Sequence, residues 1–175
     1  MKNTDPTDVP VLTDDPVALV DRRNDVLHTI KNHTITAMGV GILPVPGLDL
    51  VALTGIQLNL LRKIGALYTL DFSDEVGKKL IGALVGSYLP LALTAPIASV
   101  LKFIPGVGLA AGVLTQSAAA GVCTYAIGKV FAQHFETGGN FVNFDPAAMR
   151  AKFRQQVQEG KDFIKKQTGG KSETP

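Results

Sequence analysis

The sequence predicts an all-α fold of about five helices, with a central apolar helical hairpin and a pseudo-repeated helix that opens at a Pro-Gly step. Three observations predict it. Two stretches without a charged residue, 80–101 and 103–128, are separated only by Lys102. At about 1.5 Å per helical residue, each is long enough to cross a hydrocarbon core of roughly 30 Å. Outside these runs, apolar residues recur at helical spacing, and prolines, glycines and capping residues fall at the joints between the apolar segments.

Residues 1–14 carry Pro, Thr and Asp without apolar periodicity and read as a mobile arm. A single helical domain follows over 15–167. Asp15 caps its first helix with Pro16 at the first helical position, and Val20, Leu27 and Ile30 recur at roughly helical spacing. That helix stops at Pro44-Val45-Pro46-Gly47, where two prolines withhold amide donors. A second helix is expected over 48–70. Ser73 caps a third, with Asp74 and Glu75 in the first turn where the helix dipole favours anions. This helix is expected to continue through the apolar run with kinks at Pro90 and Pro96. Pro105-Gly106 opens a fourth helix ending near Thr137-Gly138-Gly139. Asp145-Pro146 opens a fifth, with Met149, Phe153, Val157 and Ile164 on one face, and 168–175 read as a disordered polar tail.

Composition narrows the function classes. Of the 175 residues, 46% are hydrophobic and only 18% charged, against about 25% charged in an average soluble domain. A net charge of +2 is too small to point to a nucleic-acid partner. The single cysteine, Cys123, excludes an intramolecular disulfide framework and reads as a small packing residue. Lys78 and Lys79 precede one apolar run and Lys129 follows the other, so a two-span hairpin would keep most cations and both termini on the cytoplasmic side. Gly82 and Gly86, and Gly108 and Gly112, are each four residues apart. That spacing puts small residues on one helix face, suited to close helix contact or to self-association.

An internal repeat is the second strong signal. Pro46-Gly47 is followed by Gln57 at the spacing that separates Pro105-Gly106 from Gln116, and the Ile64-Gly65, Tyr68 and Phe72 set matches Ile127-Gly128, Phe131 and Phe135. Such similarity suggests two related helical hairpins about a pseudo-twofold axis. The residues singled out as structural or interaction positions are Pro44, Pro46, Gly47, Asp49, Gln57, Lys102, Pro105, Gly106, Gly108 and Gln116. Asp49 sits in the first turn of the second helix, where it either satisfies amides or pairs with Lys102. Gln57 and Gln116 read as interhelical hydrogen-bond partners or as surface residues.

Catalytic patterns are weak. Gly106-Val107-Gly108-Leu109-Ala110-Ala111 matches a dinucleotide fingerprint in letters, but a proline turn precedes it and the next acidic residue is Glu136. Gly170-Lys171-Ser172 lacks the first glycine of a P-loop. His28, His33 and His134 are not at metal-ligand spacing and read as boundary or surface residues. No catalytic residue, cofactor or metal is expected. Cations at Arg150, Lys152, Arg154, Lys161, Lys165 and Lys166 on the last helix are suited either to anionic lipid or to solvent.

The string 42–49, with Ile56-Gln57, Ile64-Gly65, 103–108 and 124–128, resembles the bacterial GTPase-associated domain of unknown function of the YcjF type, over roughly 34–135. Members of that family commonly follow an Era-like GTPase domain or stand alone, and are regarded as membrane-associated. With no GTP-binding domain in this chain, the resemblance implies a stand-alone form with a partner GTPase supplied in trans, and it implies no catalytic residue. The expectation is a non-enzymatic anchor, scaffold or membrane-remodelling module in the bacterial inner membrane, with the lipid bilayer as a partner. The alternative is a cytoplasmic helical bundle for protein interaction, whose apolar helices form a buried core.

Overall fold

The computed structural model describes the backbone of residues 16–40, 48–93 and 107–169, and the side chains of 16–40, 51–86 and 116–167. Among the described residues there are five helices and no strand: α1 (Pro16–Val40), α2 (Leu48–Leu67), α3 (Asp74–Leu93), α4 (Val107–Glu136) and α5 (Arg150–Gly169). The all-α expectation holds.

The joints follow local chemistry. Ser73 O accepts from Gly77 N at 2.9 Å to start α3, with Asp74 and Glu75 in the first turn. α3 passes Pro90 and is helical to Leu93; the expected kink at Pro96 lies outside the described residues. α4 ends in a Schellman turn. Gly139 N donates to His134 O and Gly138 N to Phe135 O, both at 3.0 Å, and Gly138 takes the left-handed conformation at φ 83°. α2 ends the same way, with Leu70 N bonded to Gly65 O at 2.9 Å, but the left-handed position is Thr69 at φ 54°. A β-branched residue there is uncommon. The fifth helix begins later than Asp145-Pro146 suggests: Asp145 Oδ1 accepts from Ala147 N at 2.8 Å, and the turn it makes leads into α5 at Arg150.

α4 is the central helix, packed against α1, α5 and α2. Specific contacts give the directions. Ser117 lies against Met38 and Gly128 against Ile30, so α1 runs antiparallel to α4. Gln57 meets Thr124, Leu60 meets Gly128 and Tyr68 meets Phe135, so α2 runs parallel to α4. Leu58 packs on Gly77 while Arg62 pairs with Asp74 at 2.7 Å, so α3 runs back along α2. Ile164 packs on Gly121, and Gly160 on Tyr125, so α5 runs back along α4.

Two glycines let the central helix approach its neighbours. A Cβ placed on Gly128 would lie 2.8 Å from Ile30 Cγ1 and 3.2 Å from Leu60 Cδ2, and one on Gly121 would collide with Met38 and lie 2.9 Å from Ile164 Cδ1. Below the helices' lower ends, an aromatic cluster closes the core. Phe144 stacks on Phe131 at 4.0 Å, and Phe141 makes edge contacts with Phe135 and Phe72 at 4.8 and 5.2 Å. The loop bearing them is pinned by reciprocal bonds: Asn140 N donates to Asn143 Oδ1 at 2.7 Å, and Asn143 N to Asn140 Oδ1 at 3.0 Å.

One expectation needs correction. On α1 the buried residues are Val26, Ile30, His33, Thr34 and Ala37, whereas Val20 and Leu27 are 57% and 43% exposed. The helix turns a partly polar stripe inward because His33 and Thr34 face α4 and α2. The expected membrane hairpin falls largely outside the described residues, since the side chains of 87–115 are not among them; among the described residues, no helix is long and apolar enough to cross a membrane. Ile81 and Leu84 of the first apolar run, and Ala120, Val122, Thr124, Ala126 and Ile127 of the second, are buried in the protein core.

The close approach at Gly128 makes a prediction. Gly128→Ala lowers stability by about 1–3 kcal/mol, because Ile30 is fully enclosed and cannot yield. Gly82→Ala, with open space around it on an exposed turn of α3, raises stability by about 0.5–1 kcal/mol. Urea denaturation reads both; equal shifts would contradict the packing at Gly128.

Candidate functional site

Three polar contacts join α1, α2 and α4 pairwise. Between α1 and α2, His33 Nδ1–H donates to Thr29 O at 2.8 Å, which leaves Nε2 to accept from Asn59 Nδ2 at 3.1 Å. Between α1 and α4, Ser117 Oγ donates to Met38 O at 2.6 Å. Between α2 and α4, Gln57, 4% exposed, donates from Nε2 to Thr124 Oγ1 at 3.5 Å and lies 3.8 Å from Cys123 Sγ. A buried polar group left unpaired costs roughly 1–3 kcal/mol, so these contacts set the register of the helices.

The titratable groups near them are held in unreactive forms. Burial lowers the pKa of His33, with Lys63 acting in the same sense and the bond to Thr29 opposing, which keeps the ring neutral. Burial pushes the Cys123 thiol up to about 11, with the Gln57 amide opposing, so it carries little thiolate at neutral pH. Burial pushes Tyr68 up to about 12, with Glu136 adding to the shift and Arg22 and Arg23 opposing it. His134 Nε2–H donates to Asn143 Oδ1 at 3.0 Å and ties the aromatic loop to α4. His33 and His134, each 8% exposed, lie at the margin of the interior, at the boundary rather than the surface placement that the sequence allowed. Among the described residues, no group of His, Cys, Asp and Glu is arranged to hold a metal ion.

Two depressions mark the described surface. One, of about 350 Å³, lies between α1 and α4, with the Arg23–Glu136 ion pair at 3.3 Å on its edge. The other, of about 460 Å³, lies between α2 and α3, lined by Val51, Thr54, Gly55, Leu58 and Lys78.

The helix directions carry the more informative feature. The C-terminal ends of α1, α3 and α5 and the N-terminal ends of α2 and α4 all lie at one end of the bundle. The connections that leave there, 41–47 and 94–106, hold only Lys102 as a charge, and the sequence flanking the second one, 87–115, holds no other. The opposite end carries the aromatic cluster, the Arg62–Asp74 and Arg23–Glu136 pairs and the polar loop. The described helices thus send both of these connections out from one end of the bundle, opposite the aromatic cluster and the ion pairs.

Of the residues singled out from the sequence, Gln57 is brought into the core and Gln116 is exposed on α4, so the two members of the repeat differ in surroundings. They are not each other's partners: Gln57 meets Thr124, two turns further along α4. Ile64, Ile127 and Phe131 are fully buried, and Tyr68 is 9% exposed. Asp49 lies in the first turn of α2 and Gly108 in that of α4. The side chain of Asp49 lies outside the described residues, as do Pro44, Pro46, Gly47, Lys102, Pro105 and Gly106. Sequence reasoning did not single out Asn59, Ser117 or Thr124. The signal available was a set of hydroxyl and amide side chains at helical spacing within apolar runs.

These features define an all-α bundle whose polar interior is structural. The chain belongs to the family described as a domain of unknown function, DUF697, whose profile matches residues 18–162. It is 38% identical over 138 residues to magnetosome membrane protein 22 of Magnetospirillum gryphiswaldense, covering 78% of this chain and 71% of that protein. No solved structure matches it.

The neutral state of His33 gives a pH dependence. The unfolded imidazole titrates near 6.5 and the folded one lower, so the unfolded chain takes up the extra proton first. Stability from the neutral ring is full above 6.5 and declines as pH falls through 6.5 toward the lower folded value. In denaturation series from about pH 7.5 to 5.5, the wild type loses more stability than His33→Gln. Parallel profiles would contradict the assignment. The Cys123 thiol should likewise resist iodoacetamide in the folded chain and react on unfolding in urea; alkylation of the native protein at the unfolded rate would contradict its placement.

Proposed function

We propose that this protein is a non-enzymatic, membrane-associated helical module that docks on a bilayer by the apolar end of its bundle and serves there as an anchor or scaffold. The observation that carries this reading is the convergence of both apolar connections on one end, opposite the polar loop and ion pairs. Exposing the apolar sequence of 87–115 to water is unfavourable by about 25 cal/mol per Å² of apolar surface, and a bilayer removes that surface from water. The name of the relative, a membrane protein of the magnetosome, supports the same reading. Docking by one end requires no helix to cross the bilayer, in keeping with the burial of Ile81, Leu84 and much of the 117–135 stretch of α4 within protein. An inner-membrane location and a GTPase partner of the YcjF-type arrangement belong to the same proposal and rest on the resemblance. Self-association would use Gly82 and Gly86, which face open space.

Vesicle flotation tests the reading. The wild-type chain should float with phosphatidylcholine vesicles and stay with them after alkaline carbonate. The paired substitution Ile97→Asp and Leu101→Asp should abolish flotation while leaving the circular-dichroism melt of the bundle unchanged. A wild-type chain that stays in the supernatant, or a substituted one that floats equally well, would overturn the proposal.

A further inference from the structure

The large apolar side chains exposed among the described residues are gathered on α1: Val17, Leu19, Val20, Leu27 and Ile35, against Val51 on α2 and Val142 in the loop after α4. Val20, Asn24, Leu27, Lys31 and Ile35 follow one another at steps of three or four residues, so they form one exposed stripe along the helix. The stripe is turned away from the bundle. Val26, Ile30 and Ala37 fill the buried side of α1, and the sides next to it are engaged as well. Arg22 lies over the Tyr68 ring at 5.7 Å, His33 meets Asn59, and Arg23 pairs with Glu136.

The remaining charges of α1 are divided by sign along the stripe. Asp21 and Asp25 belong to its first half and Lys31 to its second; all three are exposed and enter no ion pair among the described residues. A helix that is acidic in one half and basic in the other complements a reversed copy of itself. Antiparallel pairing sets each acidic half on the other copy's basic half and opposes the helix dipoles, whereas parallel pairing stacks Lys31 on Lys31. Polar residues within an apolar stripe, here Asn24 and Lys31, fix the register of paired helices. With Leu27 of each copy opposite Asn24 of the other, Val20 lies beside the apolar stem of the other copy's Lys31. Asp21 then falls within one residue's rise, about 1.5 Å along the axis, of that same lysine.

We propose that the exposed stripe of α1 binds a second copy of this chain, in a twofold dimer whose α1 helices pack antiparallel through Val20, Leu27 and two Asp21–Lys31 pairs. The proposal goes beyond the membrane reading and does not depend on it. It uses a different face from Gly82 and Gly86, which lie on α3. An interface made by one helix from each copy lies near the roughly 1,000 Å² lower bound for specific association, which makes this a weak, reversible dimer. Because the two α1 helices run antiparallel, the bundle ends from which 41–47 and 94–106 leave point in opposite directions in the dimer.

Sedimentation velocity of the full chain over about 1–200 μM tests it, with circular dichroism confirming that each variant is folded. The wild type should pass from monomer to dimer in this range. Leu27→Glu should weaken the dimer by about tenfold or more, since it sets a carboxylate from each copy in the contact. Asp21→Lys and Lys31→Asp should each weaken it by about tenfold, because the twofold counts every reversal at both ends. The double swap Asp21→Lys/Lys31→Asp should return to within about twofold of the wild type. Val142→Glu, at a side chain 94% exposed in the polar loop, and Gly82→Glu on α3 should leave the dimer within about twofold of the wild type. A wild type that stays monomeric throughout would overturn the proposal. So would a dimer that Leu27→Glu leaves intact, or one that Gly82→Glu or Val142→Glu dissociates, since the contact would then lie elsewhere. A double swap as weak as the single reversals would overturn the antiparallel pairing. Vesicle flotation reads the membrane reading separately, so the failure of one leaves the other standing.

Discussion

The structure depends on how closely α1 and α5 approach the central helix. Gly128 and Gly121 are seven residues apart on α4, about two turns, so both lie on the side that meets its neighbours. At Gly128 the space a side chain would take is filled by Ile30 and Leu60, and at Gly121 by Met38 and Ile164. These contacts seat α1 and α5 against α4 along most of its described length. Once they are seated, the polar groups of His33, Asn59, Gln57, Thr124, Ser117 and Met38 fall opposite one another. Apolar packing alone tolerates a shift of register, whereas a buried hydrogen bond does not, because a slipped helix leaves donors and acceptors unpaired.

That fixed register has a consequence for where the apolar sequence goes. With α1, α3 and α5 directed one way and α2 and α4 the other, the two connections richest in apolar residues leave from one end. That both connections leave from one end, opposite the ion pairs, follows from the alternating helix directions that the interior contacts fix.

Much of the fold was legible in the sequence, and the reasons are local. Pro16, Ser73 with Asp74, and Gly138 act through backbone geometry within a turn, so the helix boundaries they imply are where the structure has them. The buried face of α5 was legible too, since Phe153, Val157 and Ile164 are apolar and their outward neighbours are charged. The inward face of α1 was not, because periodicity counts His33 and Thr34 as outward residues, while Asn59 from another helix satisfies His33 inside. Thr69 hid the end of α2 because the left-handed position there lacks its usual glycine. A bilayer and a protein core select the same side chains, and only long-range packing tells that Leu84 and Ile127, at the described ends of the two apolar runs, are enclosed by protein. Of the candidate site, the apolar sequence was visible beforehand, and the departure of both apolar connections from one end was not, since it needs the helix directions.

The central claim is that the bundle remains closed and meets the membrane with one end only. Peptide-resolved amide hydrogen exchange, with and without vesicles, tests it most directly. The account predicts that residues 117–135 of α4 are strongly protected in both conditions, while 87–115 gain protection only when vesicles are present. Loss of protection over 117–135 on adding vesicles would contradict it, by showing that the core of the bundle opens into the lipid.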